Sequence, residues 1–188
     1  MVHDSGDKRA VRTCREWAAA RTAGFYALTT YDIKEEAFFK RAYSMIRAIS
    51  LASVADTSFV DIGQVGLDSL DLLPVTLLPA LSSDDVEALA ALDSQGASIG
   101  DLMRTGEVNV VEAARNYLSL TYRHMGEAFW AILRADLNSD GIEDMLVSTY
   151  EWATQGTFGA GHTAVLTRRG ADQRFEVVKG IELLPSGA

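Results

Sequence analysis

The feature that most constrains this chain is a change of grammar near Gly126. Before it, apolar residues recur at three- and four-residue spacing with charges between them. After it, short β-branched and aromatic runs alternate with turn-forming residues. Helices followed by strands do not suit an alternating parallel α/β sheet. They predict an α+β fold, with N-terminal helices packed on a C-terminal antiparallel β-meander. The chain has 188 residues, 48% of them hydrophobic, so burial can offset the entropy of ordering it. A single domain over 1–188 is expected, mainly helical over about 8–125 and a meander over about 126–180.

Within the helical part, Val11, Cys14, Trp17 and Ala18 predict a helix over about 8–23, with Gly24 as its stop. Asp32-Ile33-Lys34-Glu35 has the form of a capping box. The helix it would start carries Ile33, Phe39, Ala42, Ile46 and Ile49 as an apolar, core-facing stripe to about residue 50. Gly63, Gly66, Pro74 and Pro79 interrupt the runs Leu70 to Leu73 and Val75 to Leu81, which predicts a packed, irregular segment. Ser82 to Asp85 can cap a helix over about 84–92, with a turn after Gly96. Asn109-Val110-Val111-Glu112 reads as another capping box, its helix running through Ala114, Tyr117 and Leu118 to His124 at the helix end. Strands are predicted at Phe129 to Leu133, Met145 to Trp152, His162 to Thr167 and Phe175 to Val178, and the tail from Pro185 to Ala188 is expected to fray.

Between the first two predicted strands lies Asp136-Leu137-Asn138-Ser139-Asp140-Gly141-Ile142-Glu143-Asp144. Side-chain oxygens at positions one, three, five and nine can converge on a hard cation, and glycine at position six permits the turn around it. The Ile142 carbonyl can add a backbone ligand, leaving Leu137 and Ile142 side chains to face the protein. Three carboxylates drawn together without a cation repel one another, so a bound ion would stabilise the loop and its flanking strands.

This stretch resembles the calcium loop shared by EF-hands, dockerins and integrin-type β-propeller repeats. Position twelve, where an EF-hand places a bidentate glutamate, is Val147, so the similarity is to the shorter propeller pattern D-x-N-x-D-G-x-x-D. That resemblance implies Ca2+ held by Asp136, Asn138, Asp140 and Asp144 side chains and the Ile142 carbonyl. It spans nine residues, and a propeller needs several four-stranded blades, so no fold follows from it. The layout as a whole resembles bacterial soluble or exported proteins that carry this hairpin after a helical region.

Other signals are weaker. Gly156 to Gly161 is glycine-rich but lacks the Gly-Lys-Ser/Thr ending of a phosphate loop, and reads as a hairpin connection. His162 has no nucleophile beside it in the sequence, and Glu151 next to Trp152 has no identifiable second acid. The aromatic residues Tyr117, Tyr122, Phe129, Trp130, Tyr150 and Trp152 are expected in the core where helix meets sheet, any exposed subset serving as an interaction anchor.

Charge narrows the function. A net charge of -9, with 17 basic residues scattered along the chain, disfavours a phosphate backbone, so no nucleic-acid partner is expected. The single cysteine, Cys14, allows no intrachain disulfide and reads as a buried, inert thiol. No stretch is apolar enough to span a membrane and no secretion signal opens the sequence. As it stands the chain is expected in the cytoplasm, or in the periplasm if a signal has been removed. These features together predict a non-enzymatic protein-binding domain with a calcium-stabilised hairpin loop, for example an inhibitor or immunity protein covering a basic bacterial enzyme or toxin. The alternatives are a hydrolase of cell-wall polymers using Glu151 or His162, and a calcium-responsive regulator.

Overall fold

The computed structural model describes residues 1–60 and 67–185. Helices α1 (Cys14–Thr22), α2 (Thr30–Leu51), α3 (Ser83–Ser94) and α4 (Ile99–Thr105) precede strands β1 (Val108–Ala114), β2 (Tyr117–Tyr122), β3 (Met125–Ala135), β4 (Asp144–Ala153), β5 (Gly159–Thr167) and β6 (Glu176–Val177). The strands form one antiparallel sheet in sequence order, the meander that the pattern of the chain predicts.

Each helix begins where a short polar side chain can accept an orphan backbone N–H. Thr13 accepts from Glu16, Ser82 from Asp85, and Ser98 and Asp101 form a reciprocal capping box. The box of α2 is Thr29 with Asp32, three residues earlier than expected, because Asp32 serves as the third residue of the helix and reaches back to Thr29. Helix α1 starts at Cys14 rather than near residue 8, and Cys14 is half-buried rather than enclosed.

Two larger corrections concern what the sheet decides. The segment read as a helix from Asn109 to His124, and hence as part of a helical region extending to 125, is the β1–β2 hairpin. Its register pairs Ala114 with Tyr117, and Arg123 and His124 form the next turn. A capping-box pattern is present there, but Leu118 and Leu120 gain complete burial by pairing with β3. The second correction is the face of α2. Ile33, Ile46 and Ile49 are more than half exposed, while Ser44 and Ala48 are buried. Small residues let the helix approach the sheet closely, and the large aliphatic side chains are left on its outer side.

The sheet is covered on both faces. Leu118, Leu120, Phe129, Met145, Val147 and Leu166 project to one side and pack with Leu89 of α3, Ile99 and Leu102 of α4 and the single 3-10 turns Leu70–Leu72 and Val75–Leu77. Leu146 and Val165, of opposite parity, meet Ala48 of α2 together with Leu137. The irregular reading of the segment from Leu70 to Leu81 therefore holds, with Leu73, Val75, Leu77 and Leu78 in the core. Gly63, Gly66 and the end of the tail, residues 186–188, lie outside the described residues. Among the described residues no helix is long and apolar enough to cross a membrane.

Candidate functional site

Strands β3 and β4 stay paired, past a register shift between Ala131 and Leu133, up to Ala135 opposite Asp144, so the loop between them begins and ends with two aspartates side by side. Ser139 (φ 65°) and Gly141 (φ 78°) take left-handed backbone, which coils the intervening chain. Asp136 sits inside that coil. One of its carboxylate oxygens accepts from the N–H groups of Asn138 (3.3 Å), Ser139 (2.6 Å) and Asp140 (3.2 Å), and the other from Gly141 (3.0 Å). Asn138 Oδ1 accepts from the Asp140 N–H, and Asp140 Oδ1 from Ile142. The alternating side chains thus build the turn as well as presenting oxygens.

The loop is also tied to distant chain. The Gly141 carbonyl accepts from the N–H groups of Asp56 and Thr57, the Glu143 N–H donates to Thr57, and Ser53 pairs with the backbone of Asp136. Leu137 is buried against Ala48, Leu146 and Val165, as expected, whereas Ile142 is only half-buried. Asp56 has a carboxylate oxygen 3.3 Å from where a Cβ on Gly141 would stand. Eighty-five residues separate Asp56 from Gly141, so no local spacing reveals that it belongs to this neighbourhood.

The two flanking aspartates are held in opposite electrostatic states. Burial raises the pKa of Asp136, but hydrogen bonds from Gly141, Ser139, Asp140 and Asn138 outweigh it and hold the carboxyl below its ordinary value. Asp144, with no exposed surface, is pushed upward by burial. Thr167 and the Leu137 N–H oppose that push, and the charges of Asp140 and Asp136 add to it. Asp144 Oδ2 accepts from Leu137 at 3.0 Å, but Oδ1 is buried without a hydrogen bond. The Thr167 hydroxyl is near enough to influence Asp144, yet the pair does not complete a bond of standard geometry. Asp140 turns outward, its Oδ2 taken by Arg169 at 2.9 Å and by the Asn138 amide. No hydrogen bond reaches the Ile142 carbonyl among the described residues.

The five residues of the pattern therefore lie on one loop without forming a closed shell. Among the described residues no three His, Cys, Asp or Glu side chains stand grouped as a metal site. The donor chemistry fits a hard cation, since every available group is an oxygen and one buried carboxylate oxygen lacks a partner. A shell that includes Asp140 requires that side chain to leave Arg169.

A second constellation lies further along the sheet. Glu127 of β3 stands opposite Glu151 of β4, and Glu151 Oε1 is 3.0 Å from His162 Nε2 on β5. Glu127 is 3% exposed, its Oε2 has no partner, and burial, reinforced by the charge of Glu151, pushes its pKa up to about 9. It is the second acid that linear inspection misses. The available signal is parity, because Glu127 alternates with Phe129 and Ala131 toward the buried face. His162 lines both cavities that flank β5.

The aromatic residues divide between the faces. Tyr122 and Phe129 are core, whereas Tyr117 with Trp130 and Tyr150 with Trp152 pair on the other face, with Trp130 38% and Tyr150 40% exposed. Gly126 and Gly159 make room for them, since a Cβ at either would stand 2.2 or 2.3 Å from Trp152 or Tyr150. The glycine-rich stretch accordingly serves as a hairpin connection and a seat for Tyr150. No protein-family model, curated protein or solved structure matches this chain.

Proposed function

We propose that the chain is a protein-binding domain whose Asp136–Asp144 loop takes up Ca2+, with Asp136, Asn138, Asp140 and Asp144 side chains and the Ile142 carbonyl as ligands. The observation that carries this reading is Asp144 Oδ1, a buried carboxylate oxygen without a partner, on a carboxyl whose pKa is raised by burial and further by the charges of Asp140 and Asp136. Leaving such a group unpaired costs about 1–3 kcal/mol or more, which a divalent ion at that oxygen would recover. Ca2+ tolerates the irregular oxygen shell that a nine-residue loop offers, whereas Mg2+ demands near-octahedral geometry and retains its waters. Arg169 supplies the compensating charge for Asp140 when no ion is bound. The role is structural, because the loop connects two adjacent strands and fixes them to the segment around Asp56.

Protein binding is supported by the half-exposed Trp130 and Tyr150 on a sheet face and by a net charge of -9, which accelerates encounter with a basic partner such as an enzyme or toxin to be covered. Titration calorimetry with CaCl2 and thermal melts in calcium or chelator test the metal. Calcium is expected to raise the melting temperature of the wild type, while Asp144→Asn melts higher than wild type in chelator and gains nothing from calcium. Identical melts for wild type with and without calcium, and no binding heat, overturn the metal assignment. For the partner, Trp130→Ala is expected to lose a stoichiometric protein captured by the wild type.

A further inference from the structure

The outer edge of β5 lies in a groove with features that suit one kind of occupant. Strand β6 pairs only with Leu166 and Thr167, and the Val178 N–H extends the pairing to the Val165 carbonyl. The Val165 backbone therefore points away from β4, and by the two-residue period so do the N–H and C=O groups of Thr163, Gly161 and Gly159. Among the described residues nothing pairs with them. The opposite edge of the sheet differs, because a bulge between Val110 and Glu112 interrupts β1.

Two cavities run along this open stretch of β5. One of about 750 Å3 lies between the first half of α2 and the β4–β5 turn, and one of about 450 Å3 continues toward the residues after β6. They share Lys40, Arg41, Gly161 and His162 in their walls, so they adjoin beside the unpaired backbone. Phe38 and Phe158, both about half exposed, give the first cavity apolar walls. Its charge departs from that of the molecule. In a chain of net charge -9, the wall carries Lys34, Lys40 and Arg41 without an ion pair among the described residues, and its Glu36 already faces Arg21 at 3.4 Å.

From this juxtaposition we infer that β5 accepts an extended acidic peptide segment of a partner protein as an added strand, with its alternate apolar side chains lodged beside Phe38 and Phe158. Backbone hydrogen bonds to Gly161 and Thr163 supply affinity that is independent of sequence. The cations select acidic residues and the apolar walls select the positions between them. The inference rests on the protein-binding reading and is independent of the calcium loop.

The test is selection of a displayed random octapeptide library on the full chain, followed by hydrogen exchange with a selected peptide. Wild type is expected to enrich segments alternating Asp or Glu with apolar residues. Lys34→Glu/Lys40→Glu is expected to bind them at least tenfold more weakly with an unchanged melting temperature. Exchange at the Gly161 and Thr163 amides slows at least tenfold in the complex. Enrichment of basic or proline-interrupted segments, failure to enrich any, or unchanged exchange at those two amides overturns the inference. A cellular partner that binds the double variant as tightly as wild type also overturns it, while leaving the broader protein-binding reading standing.

Discussion

Two carboxyl groups, Asp144 and Glu127, are buried, and each has one enclosed oxygen without a partner. Asp144 belongs to a local pattern, so its spacing with Asp136, Asn138 and Asp140 marks it in the sequence. Glu127 belongs to no motif, and only the pairing of β3 with β4 sets it against Glu151. Its expected consequence is a pH dependence. Below about 4.5, the ordinary value, the acid is protonated whether the chain is folded or not. Between there and about 9 the unfolded chain releases the proton while the folded chain retains it. Stability is therefore fully present at low pH and falls by about 1.4 kcal/mol per pH unit through that window. Glu127→Gln removes the slope, so its melting temperature is expected to match wild type near pH 4 and exceed it by an increasing margin up to pH 8. Parallel curves across that range would refute the assignment.

Among the elements, those whose signals are self-contained were legible. Helix α3 follows from Ser82 and Asp85, and strands β3, β4 and β5 from apolar runs bounded by turn residues. Helix α4 is not legible in the sequence because seven residues are too few for a periodic stripe, although Ser98 and Asp101 form a capping box and Gly106 ends the helix in left-handed backbone. That cap carries much of so short a helix. Asp101 is held down to about 2, first by the Ser98 hydroxyl, then by the Ser98 N–H and by Arg104. Ser98→Ala is expected to lower stability by about 1 kcal/mol in denaturant melts at neutral pH, with Ser98→Thr, which keeps the hydroxyl, restoring most of it. The β1–β2 hairpin reads as a helix in the sequence because Asn109 to Glu112 mimics a helix start, but a local signal of that size yields to the burial of Leu118 and Leu120 against the sheet.

At the scale of the molecule, the sheet stands between α3 and α4 on one face and α2 on the other, and the loop at Asp136–Asp144 is joined to chain some eighty residues earlier. If calcium closes that loop, the effect extends beyond it. Native-state hydrogen exchange is expected to slow on calcium addition at the Asp56, Thr57 and Glu143 amides, which bridge the two segments, with little change in β1. Uniform slowing, or none, would show that the ion does not couple them. The sequence by itself determined the fold class, the meander and the loop of oxygen donors, because each depends on periodicity or spacing within a dozen residues. Tertiary structure alone decided which face of α2 is buried, that residues 108–122 pair instead of coiling, and that Glu127 meets Glu151. It also decided that the edge of β5 opens into a cationic groove. Each of these outcomes depends on what stands opposite a residue in space, which no spacing along the chain encodes.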